Sequence, residues 1–332
     1  MEQVLKTDNS VKMVGASDIG KVREENEDYY LYSEDHRFFV VCDGMGGHQT
    51  GAMASRLAGE TLGDIFMEKK NFDLKKICSD ISTELPLSAL KLIAGIRLAN
   101  RRIFSYSRYS KDLRGMGTTI AAIAIEKGLI TIAHVGDSRV YRLRDNTLTC
   151  LTSDHSWLNE LLEDNEISRD QIHQFKKKNI LTRALGTDQS VKIDLFIDAV
   201  QTDDLYLLCS DGLHNALQDD VIESILKADL GPLQNKINKL VESAKLLNGS
   251  DNITGGLIHI NCLEQSTEAS KSYFETIKFE PPKVSNFLER TVKSLYPDSR
   301  KKGSLRTPLI IGILVLSILL AGFLILSIAG KP

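Results

Sequence analysis

The chain has 332 residues, enough for one large domain or two smaller ones with a substantial buried core. Hydrophobic residues make up 42% and charged residues 26% of it, which argues against wholesale disorder. The formal net charge of −3 argues against a nucleic-acid partner, and the five widely spaced cysteines argue against a disulfide framework or a cysteine-based zinc site.

Short strand-like runs alternate with turns and helical patterns over roughly residues 11–263. The predicted strands are rich in β-branched or aromatic residues and lie at 38–42, 119–125, 130–135, 205–209 and 256–260. Helical periodicity appears at 50–68, 88–107, 157–163 and 218–244. The turn sequences Glu126-Lys-Gly128 and Arg144-Asp-Asn146 separate adjacent strand runs, which favours antiparallel hairpins over parallel crossovers.

The C-terminal part of the chain has a different composition. Residues 264–307 are polar, contain three prolines and end in a basic cluster, which predicts a tether with one short helix. No charged residue occurs from Leu309 to Gly330, a run long enough to cross a bilayer, since a crossing needs ~20 apolar residues. We therefore predict a folded domain over 11–263, a tether over 264–307 and a transmembrane helix over 308–330.

Positive charge flanks the apolar run on one side. Arg300, Lys301, Lys302 and Arg306 precede it and only Lys331 follows, so the positive-inside rule places the N-terminal domain in the cytoplasm. The expectation is a single-pass membrane protein, from which a cut after Leu263 would release a soluble, active domain. The alternative is a buried core helix, although such helices are rarely apolar on every side over this length.

Acidic residues stand where apolar strands begin or end. They are Glu27, Asp28, Asp43, Asp137, Asp211 and Asp251. A single Asp-Gly pair is usually a solvated turn, but a charge at the end of a buried strand is costly unless something compensates for it. Several such carboxylates predict a shared set of oxygen ligands that suits Mg²⁺ or Mn²⁺ rather than zinc. Two such ions can activate a bridging water and hold the oxygens of a phosphoryl group.

Arg23 precedes this acidic set in the sequence. Its guanidinium offers a planar pair of donors that fits two phosphate oxygens at once. The alternative is a surface salt bridge to Glu24, Glu25 or Glu27.

Eight short motifs occur in a fixed order. They are Asp18–Asp28, Val41–His48, Gly115–Thr119, Val135–Arg139, Asp154–Ser156, Ile180–Gly186, Leu208–Leu213 and Ser250–Thr254. Together they resemble the motif series of the type 2C (PPM) metal-dependent protein Ser/Thr phosphatases in their bacterial form. The resemblance implies an α+β fold, a four-layer α-β-β-α sandwich of two antiparallel sheets flanked by helices, with the metal centre in the cleft between the sheets.

The resemblance also implies that the site binds Mn²⁺ or Mg²⁺, with two core ions and a third ion that is bound more weakly. Asp43 is expected to bridge two ions, and the Gly44 carbonyl to contribute to one of them. The remaining ligands are expected to be Asp211 and Asp251 at one core ion, Glu27 and Asp28 near the same centre, and Asp137 with Asp211 at the third ion.

Further expectations concern the reacting groups. Arg23 is expected to bind the substrate phosphate, and Thr118 to lie near the metal-bound waters. Met45 stands where animal members have a histidine that acts as general acid, and nearby His48 fits a surface or structural role better than a catalytic one. Residues 151–183 resemble the family's flap, whose lysines Lys176–Lys178 are either solvated or contact acidic substrates.

The implied function is hydrolysis of phosphoserine and phosphothreonine in proteins by a water or hydroxide bridging the two ions, without a phospho-enzyme. Phosphoproteins are the expected substrates, a Ser/Thr protein kinase an expected partner, and the enzyme an expected monomer that opposes kinase signalling at the membrane. The alternatives are a metal-dependent phosphatase of another phosphoester and an inactive membrane-bound scaffold. A cysteine phosphatase is disfavoured, because Cys209 lacks an arginine at the required spacing.

Overall fold

The computed structural model describes residues 10–46, 49–81, 84–109, 111–163, 180–262, 273–277 and 281–296. The chain divides into a compact unit that ends at Leu288 and a second unit that begins at Glu289. Of the second unit, residues 289–296 are described, and residues 289–295 belong to the last helix.

Two antiparallel sheets form the centre of the first unit. The five-stranded sheet has the order β1 (Val11–Asp18), β11 (Ile253–Ile260), β10 (Leu205–Cys209), β7 (Arg139–Arg144) and β8 (Thr147–Cys150). The seven-stranded sheet has the order β12 (Tyr273–Ile277), β9 (Ile193–Ala199), β6 (Leu129–Val135), β5 (Ile120–Glu126), β3 (Phe38–Met45) and β2 (Asp28–Ser33), with β4 (Gly117–Thr118) paired to β3.

Helices cover the outer faces of both sheets. Helices α1 (Gln49–Phe66) and α3 (Leu87–Tyr109) pack on the seven-stranded sheet, while α5 (Asp211–His214), α6 (Asp219–Lys227) and α7 (Leu233–Leu247) pack on the other. The remaining helices are α2 (Leu74–Ile77), α4 (Trp157–Glu163) and α8 (Pro282–Leu295), with a 3-10 turn at Lys111–Leu113. The prediction of two antiparallel sheets flanked by helices is confirmed.

The apolar strand runs are continuous because their strands are buried on both faces. Phe39 and Val41 of β3 contribute to the core between the sheets, whereas the Phe38 ring stacks on Phe66 of α1 with centroids 4.7 Å apart. In β10, Tyr206 and Leu208 likewise belong to the core between the sheets, and Leu205, Leu207 and Cys209 pack with the helices. The β3 run ends at Cys42, and the side chain of the next residue, Asp43, enters the cleft.

One predicted helix is wrong in part. Residues 218–244 were expected to form a single helix, but α6 ends at Lys227 and α7 begins at Leu233. Ala228 has an extended backbone, and Gly231 has a φ of +73° in front of Pro232. Proline has no N–H for a helical hydrogen bond, so the Gly-Pro pair separates the two helices.

The range 264–307, predicted as a tether, contains two secondary-structure elements. Strand β12 pairs with β9, and helix α8 follows it, as the expected short helix. Ile277, Val284 and Leu288 are buried, so the first unit extends beyond residue 263. Within the described part of the chain no helix is both long and apolar enough for a membrane crossing, and the predicted span 308–330 lies outside it.

Candidate metal centre

The strand ends that carry the predicted carboxylates meet at a cavity of about 400 Å³. Its lining includes Arg23, Glu27, Asp43, Asp137, Asp211 and Asp251, together with the backbone at Gly44. Asp43 comes from the seven-stranded sheet, whereas Asp211 and Asp251 flank strands of the five-stranded sheet. The structure therefore brings seven of the eight predicted site residues to one cavity at the junction of the sheets.

Two threonines fix the backbone of Asp43. The Asp43 amide donates to Thr119 Oγ1 over 3.0 Å, and the Asp43 carbonyl accepts from Thr118 Oγ1 and the Thr119 amide, both over 2.8 Å. Thr118 is fully buried, and it is Thr119 that lines the cavity. The expectation that Thr118 lies near metal-bound waters stays a prediction, and in the structure its hydroxyl supports the backbone of Asp43.

Gly44 allows two chain segments to approach closely. Its amide donates to the Glu27 carbonyl over 3.1 Å. A Cβ atom at this position would lie 2.2 Å from the Gly51 carbonyl oxygen and 2.5 Å from that of Glu27, so any side chain would force these backbones apart. The absence of a side chain keeps the Gly44 backbone at the edge of the cavity.

Asp28 lies behind the cavity lining. It is directly opposite Asp43 in the β2–β3 pair, and its Oδ2 accepts a hydrogen bond of 2.7 Å from Ser210 Oγ. Burial raises the pKa of Asp28 to about 7, and the charges of Asp211 and Asp251 add to this shift. Asp28 thus joins the two sheets beneath Asp43.

Burial, together with the charges of the neighbouring carboxylates, disfavours the charged forms of these groups. Burial raises the pKa of Asp43 well above its usual range, and the charge of Asp28 adds to the shift. Burial also raises the pKa of Asp211, with a further contribution from Asp251, and raises that of Asp137 to about 7, with a contribution from Asp211. Such a cluster is stable in its charged form only beside compensating positive charge.

The donor set fits the expected ions. Among the described residues Glu27 Oε1 has no hydrogen-bond partner although it is buried, and the carboxylates around the cavity offer oxygen ligands. Oxygen donors suit Mn²⁺ and Mg²⁺. The residues present therefore fit a site for these divalent cations.

The raised pKa of Asp137 predicts that, in chelator, the charged Asp137 carboxylate lowers the stability of the fold in a pH-dependent way. A carboxyl whose pKa is raised by folding destabilises the fold once pH exceeds its unfolded value, here between about 4 and 7. The buried imidazoles of His134 and His214 have pKa values lowered to about 4, so they make the fold more stable as pH rises. This effect is the same in wild type and in Asp137→Asn, so it cancels when the two proteins are compared. We therefore expect Asp137→Asn to melt above wild type by a margin that grows from about pH 4 to about pH 7 and then levels off. A constant margin in thermal unfolding would contradict this.

Arg23 forms an ion pair that differs from the alternatives considered for it. Its Nη2 lies 2.7 Å from Asp251 Oδ2, so its partner is a predicted metal ligand rather than Glu24, Glu25 or Glu27. The Arg23 side chain is 46% exposed at the rim of the cavity. This position allows the guanidinium to reach a bound anion.

Asn252 has a positioning role that the sequence reasoning missed. Its side-chain Nδ2 donates to the carbonyls of Ile19 and Glu25, both over 3.0 Å, and its Oδ1 accepts from the backbone amide of Glu27 over 2.8 Å. These bonds hold the loop that carries Arg23 and Glu27. Asn252 stands inside a recognised motif, but its contacts join parts of the chain more than 200 residues apart.

Met45 and His48 stand near the position of the general acid of animal members in the sequence. Met45 lines the cavity, and its thioether cannot donate a proton. His48 lies outside the described residues, as do Lys176–Lys178 of the flap. At the base of the flap, Leu181 lines the cavity and Trp157 begins α4.

Cysteine chemistry finds no support at this site. Cys42 and Cys209 are buried within β3 and β10. Burial raises the pKa of the Cys42 thiol well above its usual range, as it also does for Cys209. Neither thiol is therefore suited to act as a thiolate nucleophile at neutral pH.

Comparison with known proteins points to a single family. The family model described as Protein phosphatase 2C matches residues 15–244. "Serine/threonine phosphatase stp" of Listeria welshimeri is 38% identical over 257 residues, which cover 76% of this chain and 98% of that protein.

Solved structures agree with this result. The Mycobacterium tuberculosis serine/threonine phosphatase PstP/Ppp matches with a TM-score of 0.66 at 30% identity, covering 76% of this chain and 99% of that one. The catalytic domain of PstP in complex with two manganese ions matches with a TM-score of 0.64 at 30% identity and the same two coverages.

Proposed function

The chain belongs to the protein phosphatase 2C family, and from this premise we propose that it removes phosphate from phosphoserine and phosphothreonine in proteins at the cytoplasmic face of a membrane. It is an enzyme of the protein-serine/threonine phosphatase class, with Mn²⁺ or Mg²⁺ as cofactor. One observation carries the proposal: five carboxylates line a single cavity beside a half-exposed arginine.

The residues that would hold the two core ions are Asp43, Asp211 and Asp251, with the Gly44 carbonyl, Glu27 and Asp28 near them. Asp137 with Asp211 would hold a third, weaker ion. When bound, such ions activate water as a nucleophile and neutralise charge on phosphoryl oxygens. The chain's own contribution is to fix the ligands through Thr118, Thr119 and Asn252 and to present Arg23 to the phosphate.

A phosphatase assay on four substrates tests the function. Phosphoserine, phosphothreonine and phosphotyrosine peptides and a small phosphoester are compared with Mn²⁺ and with chelator. We expect activity on the first two peptides that chelator abolishes and Mn²⁺ restores. Preference for the small phosphoester would favour the alternative phosphatase, and phosphate release from none of the substrates would favour the inactive scaffold.

Arg23→Ala should raise KM for phosphopeptide and lower kcat/KM roughly 10- to 100-fold. A charge-assisted hydrogen bond contributes about 1.5–3 kcal/mol, and the guanidinium is placed to make two of them. Arg23→Lys keeps the charge and loses the planar pair of donors, so its kcat/KM should be intermediate. Unchanged kinetics with a lowered Tm would instead assign Arg23 to its ion pair with Asp251.

We also propose that residues 308–330 anchor the enzyme, with the catalytic unit in the cytoplasm. The support is the run of 22 residues without charge and the basic residues that precede it. A tethered enzyme meets membrane-bound phosphoproteins at raised effective concentration, which fits opposition to a Ser/Thr kinase. Recovery of the full chain in the soluble fraction without detergent would exclude the anchor, and digestion of its catalytic unit from outside intact cells would reverse the orientation.

A further inference from the structure

A buried polar cluster lies beside the metal centre, at the edge of the seven-stranded sheet. We call it the His155 cluster, and it consists of His134, His155, Arg183 and Asp194. His134 lies on β6 and Asp194 on β9, while His155 and Arg183 lie at the two ends of the flap. His134 and His155 are each 3% exposed and Asp194 is 6% exposed, so their hydrogen bonds are protected from solvent.

Hydrogen bonds fix the orientation and tautomer of His155. The Gly136 amide donates to His155 Nδ1 over 3.0 Å, so Nδ1 is the acceptor and Nε2 carries the proton. His155 Nε2 then donates to Asp194 Oδ2, also over 3.0 Å. The ring stacks on that of His134 with centroids 4.5 Å apart. The imidazole is thus held from both ends and from one face.

His155 connects the metal loop to the base of the flap. Its amide donates to the Gly136 carbonyl over 2.9 Å, and its carbonyl accepts from the Thr182 amide, also over 2.9 Å. Gly136 directly precedes Asp137 and has a φ of +108°, a conformation that side chains rarely adopt. Because His155 bonds to both the amide and the carbonyl of Gly136, it fixes the direction in which the chain enters Asp137.

Asp194 connects this arrangement to the C-terminal strand. Its Oδ1 lies 3.0 Å from Arg183 Nη1. It is directly opposite Thr276 in the β9–β12 pair, which places the Thr276 hydroxyl beside the Asp194 carboxylate. Burial alone would raise the pKa of Asp194, but the hydrogen bonds from His155 and Thr276 hold it below its usual range. Strand β12 lies outside residues 15–244, the part that the family model matches.

A metal ion is the alternative occupant of the His155 cluster. Ligand atoms of His134, His155 and Asp194 lie within 4.8 Å of one another. However, both nitrogens of His155 already have partners, and Arg183 Nη1 lies only 3.2 Å from His155 Nε2. His134 Nε2 is likewise 2.9 Å from the Ser153 carbonyl. The guanidinium supplies the positive charge here, which favours a hydrogen-bonded support over a metal site.

We propose that strand β12 is a positioning element for the metal loop: Thr276 orients Asp194, Asp194 orients His155, and His155 holds Gly136 so that Asp137 faces the cavity. This inference rests on the proposed function. It makes the weaker ion, expected at Asp137 and Asp211, depend on a segment beyond the matched family region. Thr276 and His155 are positioning residues, since neither lines the cavity.

The test compares Thr276→Val with Thr276→Ser and with a matched control in the full chain. Thr149→Val makes the same change on the exposed strand β8 of the other sheet. Mn²⁺ binding is followed by calorimetry, and phosphopeptide hydrolysis is followed across Mn²⁺ concentrations. We expect Thr276→Val to weaken the low-affinity Mn²⁺ site about 3- to 10-fold and to lower kcat similarly, as loss of one half-buried polar contact to Asp194 predicts. The tight sites, Thr276→Ser and Thr149→Val should remain close to wild type.

Three outcomes would overturn the inference or separate it from the proposed function. Wild-type Mn²⁺ affinity and kcat in a folded Thr276→Val protein would overturn the inference and leave the proposed function standing. An inactive wild type would overturn the proposed function, while calorimetry would still test the positioning of the weak site. A transition metal that survives dialysis of wild type and is lost in His155→Asn would assign the His155 cluster to a metal and overturn the inference.

Discussion

Asp43→Asn is expected to lower kcat at least ~100-fold, because it removes the ligand expected to bridge both core ions. The same change should raise the Tm of the protein in chelator. In the folded chain burial raises the pKa of Asp43 well above its usual range, so its charged form opposes folding at neutral pH. Loss of activity together with a gain in stability distinguishes a ligand from a structural residue.

Asp145→Asn is the matched control for Asp43→Asn. Asp145 is exposed in the turn between β7 and β8 with a φ of +49°, a conformation that asparagine tolerates. The phosphopeptide kinetics of Asp145→Asn, and its thermal unfolding in chelator, should therefore match those of wild type. If Asp43→Asn kept wild-type kcat with Mn²⁺, Asp43 would not be a bridging ligand.

Two C-terminal truncations should differ in stability and activity. A cut after Tyr296 keeps every described element and should yield a soluble protein with near-normal activity on peptides. A cut after Leu263, which the sequence alone favoured, removes β12 and α8. It would expose the β9 edge, delete the buried Ile277, Val284 and Leu288, and remove the hydroxyl of Ser285 that accepts from Arg101.

The shorter protein should lose roughly 10 °C or more in Tm, and part of its kcat. Each buried aliphatic side chain contributes about 1.5–3 kcal/mol, and the loss of Thr276 also affects the His155 cluster. Thermal unfolding and kinetics of the two purified proteins measure this. Equal Tm and kcat for both would return the domain boundary to residue 263.

The local sequence predicted the position of site residues where these residues directly follow a buried strand. The apolar runs ending at Asp43 and Asp211 are strands buried on both faces, and the carboxylates that follow them share one cavity. Periodicity was sufficient here because burial on both faces leaves an uninterrupted apolar run. The Gly231-Pro232 pair that separates α6 from α7 is also a local signal, because a proline typically ends or interrupts a helix.

Contacts between segments far apart in the chain could not be predicted from the sequence. The partner of Arg23 is Asp251, 228 residues away, and Asn252 holds the loop around Glu27 from a similar separation. Strand β12 looked like tether because three of its five residues face solvent and its pairing with β9 depends on the folded sheet. A single sequence carries no record of such pairings, since sheet edges accept many partners of similar composition.

The junction of the two sheets has a consequence for how the molecule opens. Asp43 belongs to one sheet, whereas Asp211 and Asp251 flank strands of the other, so ions held between them would act as cross-links across the interface. Ligand binding of this kind stabilises only states in which both sheets are in place. With Mn²⁺ bound, amide hydrogens at the ends of β3 and β10 should therefore exchange slowly and at similar rates, because the two ends open as one cooperative unit. In chelator the same amides should exchange at different rates, because the two ends open independently.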